Sequence, residues 1–548
     1  MPTDYPRIPI DRSQGRSMVI STHGIVCSEH PLASQAGASV LARGGHAVEA
    51  AIAANAVMGV VAPMMCGIGG DLFAIVSERD GTLRGVNASG WAPEGLTPGA
   101  LRSKGFTAMP QTGPHPVTVP GAVAGWSLLF DRYTRISFSD ILAPAIALAE
   151  EGFPVAEITA AEWANAEPFL RENPQAARTF LNGGRVPRVG EVFRNPDLAA
   201  TYRQILKDGT EDFYRGEIAA RIVKGIADAG GAMSPEDLSA FSAEWVEPIK
   251  TTYRGWDVFE IPPNGAGIAA LMMLNILDAF PLKEYGHNSV DALHVMIEAK
   301  KLAYADMIRY VGDPKLSAVP TPAMLSREYG AHRAKSIDPA RGNPAASAGA
   351  FAHATQGGDT TYLCAADRDG NMVSFIQSNF AGFGSGVVAE GTGFALQNRG
   401  GLFTLDPAHP NVLAPRKRPL HTILPGFMRR DRLRIAFGIM GGWNQSQAHA
   451  QFVSNVVDHG MNVQAALEAS RFTKVTFEGS DVLVEARIPE VVRAELARKG
   501  HELVVQGDFS SQMGGGQAVR RDDSAGVNYG ASDPRKDGAA VPEPIQVK

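Results

Sequence analysis

Two adjacent threonines, Thr360 and Thr361, stand where a tract without usable period gives way to strand-like sequence, "GGDTTYLCAADRDGNMVSFIQSN" over 357–379. A β-branched residue at a strand edge ordinarily serves the strand alone. The position also permits a specific chemistry. If the Asp359–Thr360 bond were cut, Thr360 would carry a free α-amine beside its own hydroxyl. Such an amine has a pKa of about 7.7–8.0, so part of it is neutral near pH 7. It can serve as base for a hydroxyl that is otherwise a weak nucleophile, with no histidine required. Acyl transfer also needs donors for the oxyanion. Gly441 and Gly442 lie between the strand-like "RLRIAFGIM" and the helix-like "NQSQAHAQFVSNVVDHG", where backbone N–H groups could supply them. The same pair reads equally well as a plain turn.

Other chemistries find little support. No HExxH or CxxC motif occurs, and no tight His/Asp cluster stands out among the 13 histidines, so no metal and no cofactor are expected. "GIGGD" at 67–71 lacks the Lys-Ser/Thr ending of a phosphate loop and reads as a tight backbone turn. "GFGSG" at 382–386 carries Phe383 where a serine nucleophile elbow needs glycine before the nucleophile's neighbour. The net charge of −6 is spread along the chain, without a basic stripe, which argues against a nucleic-acid partner. The apolar runs are too short to span a membrane. Three cysteines without CxxC spacing suggest a reducing compartment, and the N-terminus shows no apolar signal core, so a cytoplasmic location is the expectation.

The elements that must position these residues can be sketched. "PLASQAGASVLARGGHAVEAAIAANAVMGVVAP" predicts two helices broken at Gly44–Gly45. "DLFAIVSERDGTLRGVNAS" predicts a hairpin, as do "TTYLCAAD" and "MVSFIQSN" joined by "RDGN". "SFSDILAPAIALAEEGFPV" and "EIAARIVKGIADAGG" have amphipathic helical spacing, whereas "AGIAALMMLNILDAF" is apolar nearly all round and should be buried. From about Arg333 to Gly358 the chain is rich in Ala, Gly, Ser and Pro, predicting a surface or mobile tract accessible to cleavage. Strands and helices occur in both halves of 548 residues, which favours sheets covered by helices in layers.

Taken together, the chain resembles the γ-glutamyltransferase family of N-terminal-nucleophile hydrolases over nearly its whole length. The segments that carry the likeness are "GGHAVEAAIAANAV", "VPGAVAGW", "ILAPAIALAEEGF", "YRGWDVFEIPPNGAG", "RKRPLHTILPGF", "MGGWNQSQ" and "YGASDPRKDG", with the threonine pair and "DRDGN" at the family's processing site. The resemblance implies an α+β fold, a four-layer αββα sandwich. It implies self-cleavage between Asp359 and Thr360 into a large subunit 1–359, ending in the 333–358 tract, and a small subunit 360–548, intertwined in one unit. Thr360 would be the nucleophile, Ser378 its supporting hydroxyl, and Gly441 and Gly442 the oxyanion pair.

The substrate-recognition positions depart from the family pattern. The arginine that holds a γ-glutamyl carboxylate corresponds to Ser89 in "NASGWAP". The Gln and Asp that hold its α-amine correspond to Arg399 and Leu402 in "ALQNRGGLF". The serine pair after "KRPL" becomes His421–Thr422, and the intervening segment that forms a lid in some members is shorter. A guanidinium in place of an acid disfavours an α-ammonium and favours a carboxylate on the acyl group, unless Arg399 merely faces solvent. The expected function is therefore hydrolysis of a small carboxylate-bearing amide, oxamate-like or glutaryl-like, through an acyl-enzyme. The alternatives are a glutathione hydrolase or γ-glutamyltransferase, and an unprocessed binding homologue. The expected partners are the substrate and the two subunits, with a dimer of these left open.

Overall fold

The structure, a computed structural model, describes residues 13–345 and 359–545 apart from 475 and 478. Two seven-stranded sheets organise it. The first runs in the order Ala539–Pro542, Ile25–Ser28, Asp359–Ala366, Met372–Phe380, Asp71–Ser77, Leu83–Ala88 and Glu244–Val246. The second runs Val19–Ser21, Val527–Ser532, Gly516–Asp522, Leu433–Ile439, Gly426–Arg430, Trp256–Glu260 and Ile249–Tyr253. Every neighbouring pair in both sheets is antiparallel.

The period-two alternation of these strands divides the core. Tyr362, Cys364 and Ala366 point from the first sheet toward Phe427, Ala436 and Val519 of the second, forming an inter-sheet core. Leu363 and Ala365, one residue out of phase, face the helices Pro31–Ala42 and Ala47–Val61. On the second sheet, Ile435, Phe437 and Ile439 face away from the first and meet the helices Gly267–Leu277, Val290–Tyr310 and Gln445–Val457. Helix Gly267–Leu277 is buried at every position, as its apolar run predicts.

The predicted helices and hairpins form where their patterns place them. His46 caps the second Ala-rich helix, its ring accepting from Val48 N–H while Glu49 accepts from His46 N–H, so the break at Gly44–Gly45 ends in a real start signal. The tract from about Arg333 differs in part from expectation. Its first residues are pinned: Gly342 N–H donates to Lys499 at 2.7 Å, Asn343 N–H to Glu298 at 3.1 Å, and Ile337 is buried. The remainder, 346–358, lies outside the described residues. Segments before and after residue 359 both contribute strands to each sheet. Among the described residues no helix is long and apolar enough to cross a membrane.

Candidate active site

Strand Asp359–Ala366 pairs with Met372–Phe380, and the register shifts between Asp359 and Thr361. Such irregularities re-aim side chains next to functional sites. Thr360 is buried between the sheets, and its Oγ1 donates to Ser378 Oγ at 3.1 Å. A second group reaches the same oxygen from the helix packed on the second sheet. Gln445, first residue of helix Gln445–Val457, holds its Nε2 at 3.5 Å from Thr360 Oγ1. Its Oε1 accepts Leu424 N–H at 3.0 Å, which fixes the amide so that the nitrogen faces the threonine.

Ser378 joins the nucleophile candidate to a guanidinium. Arg399 Nη2 donates to Ser378 Oγ at 3.0 Å and Nη1 to Thr422 Oγ1 at 2.7 Å. Arg399 is fully buried, so the solvent-facing alternative is corrected: the short helical turn Arg399–Leu402 aims its side chain inward. Its guanidinium lies over the Phe380 ring at 4.4 Å. Phe380 ends its strand with φ of 78°, a left-handed conformation that a bulky residue adopts only when its surroundings impose it. Its N–H donates to Ser378 Oγ at 2.8 Å, so the strained turn serves the same hydroxyl.

The carboxylate facing Arg399 is Asp71, which follows the "GIGGD" turn and pairs with Ser378 in register. A Cβ at Gly70 would lie 2.4 Å from the Ser378 carbonyl oxygen, so this close approach requires glycine. Asp71 Oδ1 accepts Gly90 N–H at 2.9 Å, and Oδ2 lies 3.0 Å from His421 Nε2. His421 Nδ1 accepts Ile423 N–H at 3.3 Å, so the proton sits on Nε2 and is donated to Asp71. Burial, reinforced by Arg399 and Arg418, holds His421 well below the ordinary imidazole range and keeps it neutral. Burial pushes the Asp71 carboxyl up to about 7, opposed first by Arg399. Arg399 falls to about 9 by burial, opposed by Asp71, and stays protonated at neutral pH. Among the described residues Arg399 makes no ion pair, and its Nε has no acceptor. A buried guanidinium in this state is an unsatisfied anion receptor.

Gly441 and Gly442 take φ of 116° and 57°, which few residues but glycine adopt. They lead into helix Gln445–Val457, whose first residue is the one that reaches Thr360. Among the described residues neither N–H is taken by a backbone carbonyl. Just past the end of the neighbouring strand Ile25–Ser28, Glu29 Oε1 accepts Tyr362 N–H at 2.6 Å, two residues beyond Thr360. Burial pushes Glu29 up to about 8, against the pull of Lys536.

Thr360, Ser378, Arg399 and Thr422 thus form one hydrogen-bonded cluster. Ser89 lies outside it: its Oγ accepts Asn264 Nδ2 at 2.9 Å, and Asn264 O accepts His421 N–H at 2.8 Å, so Ser89 braces the His421 loop. Both nitrogens of His421 are engaged by the protein, which leaves it to orient Asp71. Asp71, Gln445, Glu29 and Phe380 were not singled out from sequence. Folding also gathers histidines that no sequence motif joins. His294, Glu298 and His501 bring ligand-type atoms within 4.8 Å of one another. The spacing of His294 and Glu298, one helical turn apart, was the available signal. The two imidazoles bond to each other at 2.8 Å and Lys301 Nζ holds Glu298 at 2.7 Å, so the cluster already bears an ammonium.

Comparison with known proteins accords with this arrangement. The gamma-glutamyltranspeptidase family model matches residues 33–543. The glutathione hydrolase-like YwrD proenzyme of Bacillus subtilis (strain 168) is 36% identical over 533 residues, covering 95% of this chain and 99% of its own. The oxamate amidohydrolase proenzyme of Klebsiella pneumoniae subsp. pneumoniae is 35% identical over 532 residues, covering 95% and 99%. The crystal structure of cephalosporin acylase from Bacillus halodurans matches with a TM-score of 0.90 at 42% identity, over 100% of this chain and 99% of that one. These relatives are enzymes, and the chain belongs to the gamma-glutamyltranspeptidase family of N-terminal-nucleophile hydrolases.

Proposed function

We propose that the protein is an autoprocessed amidohydrolase acting on a small amide whose acyl group carries a carboxylate. The observation that carries this reading is Arg399: a buried guanidinium without an ion-pair partner among the described residues, one hydrogen bond from Ser378, itself one hydrogen bond from Thr360. In this reading the fold is a four-layer αββα sandwich. Thr360 Oγ attacks the Asp359 carbonyl, the acyl group shifts from nitrogen to oxygen, and water cleaves the ester to release residues 1–359 from 360–548.

The mature site follows from the same residues. The Thr360 α-amine takes the hydroxyl proton as Oγ attacks the substrate carbonyl. Ser378 and Gln445 hold Oγ in place, and the Gly441 and Gly442 N–H groups receive the oxyanion, each such donor worth about 2.7–4 kcal/mol of barrier. The C–N bond breaks, the amine nitrogen takes the proton, and water hydrolyses the Thr360 ester. Arg399, with Thr422 and Ser378 as its props, takes the substrate carboxylate. The relative named for oxamate supports an acid-bearing acyl group.

Glutathione hydrolysis is the second reading, favoured by 30% identity to the glutathione hydrolase proenzyme of Bacillus subtilis (strain 168) across 97% of this chain. A panel of oxamate, glutaryl amides, glutathione and γ-glutamyl-p-nitroanilide on purified enzyme separates the two. Turnover confined to the first pair is expected; fast turnover of the second pair would refute the role given to Arg399.

A further inference from the structure

Cleavage before Thr360 turns a neutral amide nitrogen into an amine that becomes positively charged each time it takes the hydroxyl proton. Thr360 is 1% exposed, so water does little to stabilise that charge. A buried cation needs a counter-charge close by. The strand geometry places one there. Along strand Asp359–Ala366 successive N–H groups point to opposite edges. Tyr362 N–H points to the edge beside Ile25–Ser28, where Glu29 Oε1 accepts it at 2.6 Å. Thr360 reaches Ser378 on the same inter-sheet face that carries Tyr362, so the alternation runs on through Thr360. The register shift does not interrupt it, because the extra residue lies in the partner strand: Ser378 and Asn379 together stand opposite Thr360. The Thr360 nitrogen therefore points to the Glu29 edge. Two residues along a strand span about 6.6–6.8 Å, so the Glu29 carboxyl stands about one such step away, in reach directly or through one water. Among the described residues the pairing with Ile25–Ser28 ends at Cys364, and the chain past Glu29 enters helix Pro31–Ala42, so no strand competes for this nitrogen.

The other charged and titratable groups here have different partners. Lys536 bonds to Glu162 of helix Glu157–Asn165 and pulls on Glu29 from there. His30 accepts Leu32 N–H at Nδ1, and burial, opposed by Asp537, lowers it to about 4, which keeps it neutral. Burial, helped by Glu29, keeps the Cys66 thiol protonated. Asp71 and Arg399 lie across Ser378, and Asp71 gives its oxygens to Gly90 N–H and His421. Glu29 makes no ion pair of its own among the described residues, and burial holds its proton on up to about 8.

We propose that Glu29 is the positioning residue of the Thr360 α-amine: its carboxylate accepts an N–H of the amine, turns the lone pair toward Oγ, and stabilises the ammonium that forms as Oγ attacks. This rests on the function proposed above. The buried aspartate of a serine–histidine–aspartate triad serves its imidazole in the same way. The proton passes from Oγ to the amine and from the ammonium to the departing amine, and Glu29 neither gains nor loses one in the cycle. The pair comes into being only with cleavage. The new ammonium then draws the Glu29 carboxyl down from about 8, while the carboxylate raises the amine above its ordinary value of about 7.7–8.0.

Glu29→Gln keeps an acceptor for Tyr362 N–H and removes only the charge. Wild type and variant labelled with nitrogen-15 threonine are titrated by NMR on the Thr360 α-amine nitrogen, whose resonance stands apart from the amides, with no substrate present. The amine should titrate about one pH unit or more lower in Glu29→Gln, with the acid limb of kcat/KM moving alongside on any amide that is turned over, and with cleavage itself unimpaired. Equal titration in the two proteins would overturn the proposal. Should Glu29→Gln fail to fold, the Tyr362 amide nitrogen, which senses Glu29 through their hydrogen bond, supplies the second measurement. It should report a midpoint near 8 in uncleaved Thr360→Ala and one about a unit or more lower in the cleaved wild type. The same midpoint in both would also overturn the proposal. A wild type that stays a single 58.1 kDa band refutes the function proposed above, whereas a cleaved wild type whose amine is indifferent to Glu29 refutes this inference alone.

Discussion

Arg399→Met removes the proposed carboxylate receptor with little change in side-chain volume. Its two fixed hydrogen bonds, to Thr422 at 2.7 Å and Ser378 at 3.0 Å, go with it. The fold should survive. Asp71 is left without its counter-charge, but its carboxyl already sits at about 7 and can take a proton near neutrality at little cost. Substrate binding should suffer far more. Deleting one partner of a buried, hydrogen-bonded charge pair costs about 2–5 kcal/mol, which is roughly 30-fold to several-thousand-fold in kcat/KM. The assay pairs oxamate with oxamide, in which a neutral carboxamide replaces the carboxylate. The wild type should prefer oxamate, and Arg399→Met should erase that preference while changing oxamide turnover much less. Arg399→Lys should fall between, because an ammonium keeps the charge and loses the fork. Equal losses on both substrates, with the preference intact, would mean that Arg399 only supports the site, and the reasoning would be refuted.

Other consequences can be checked directly. Thr360→Ala should abolish both cleavage and activity, leaving one 58.1 kDa band where the wild type gives about 38 and 20 kDa by chain length; an active Thr360→Ala protein would remove the basis of the mechanism. Gln445→Leu strips the Leu424 N–H of its acceptor and Thr360 Oγ1 of a donor, and should lower kcat about tenfold with KM little changed, as single-turnover kinetics would show. Glu29 binds a proton in the folded chain up to about 8 and in the unfolded chain only up to 4.5, so folding stability falls as pH rises through that window. Asp71 acts in the same sense up to about 7, whereas His30 and His287, both lowered to about 4, act oppositely below 6.5. Between pH 7 and 8 the Glu29 slope is at most about 1.4 kcal/mol per pH unit, and Lys300, held well below the ordinary lysine range by burial, acts in the opposite sense. The difference is therefore read against the variant: thermal midpoints should fall more, or rise less, over that interval in the wild type than in Glu29→Gln; identical slopes would rule Glu29 out.

Residues that announce themselves by type were legible from sequence. A threonine after a cleavable tract, a second hydroxyl 18 positions later in the same hairpin, and a glycine pair before a helix are all local signals. The helices and hairpins were legible for the same reason, since their hydrophobic periods and caps lie within single segments. Which strands meet was not. Asp71 reaches the site only because its strand pairs with the nucleophile hairpin, Ser378 opposite Asp71, and "GIGGD" taken alone suggests no more than a turn. Arg399 was legible as a substitution of guanidinium for acid, but its burial depends on the turn that carries it. Glu29 takes its place by register: the strand Ile25–Ser28 meets Cys364–Ala366, and continuing that pairing sets Glu29 opposite Tyr362. His501 joins His294 from 207 residues away, beyond any motif search.

On the proposed assignment, the same geometry separates Thr360, the nucleophile candidate, from Arg399, the position at which the sequence departs from the pattern it resembles. Thr360 depends on strand pairing, a register shift and contacts from a neighbouring strand and a helix, so a change there disturbs several elements. Arg399 sits on a turn of four residues, and its props, Thr422 and Phe380, lie at a loop and a strand end. Exchanging an acid for a guanidinium on such a turn alters the charge offered to substrate without moving a strand. The exchange still has to be compensated, because a buried guanidinium needs acceptors and a counter-ion. Thr422 and Ser378 supply two acceptors, and Asp71, whose carboxyl burial pushes up to about 7 against the pull of Arg399, stands as its carboxyl neighbour at a distance. Asp71 spends its oxygens elsewhere and does not close an ion pair with Arg399, so the guanidinium keeps its strongest bonding capacity for an incoming carboxylate.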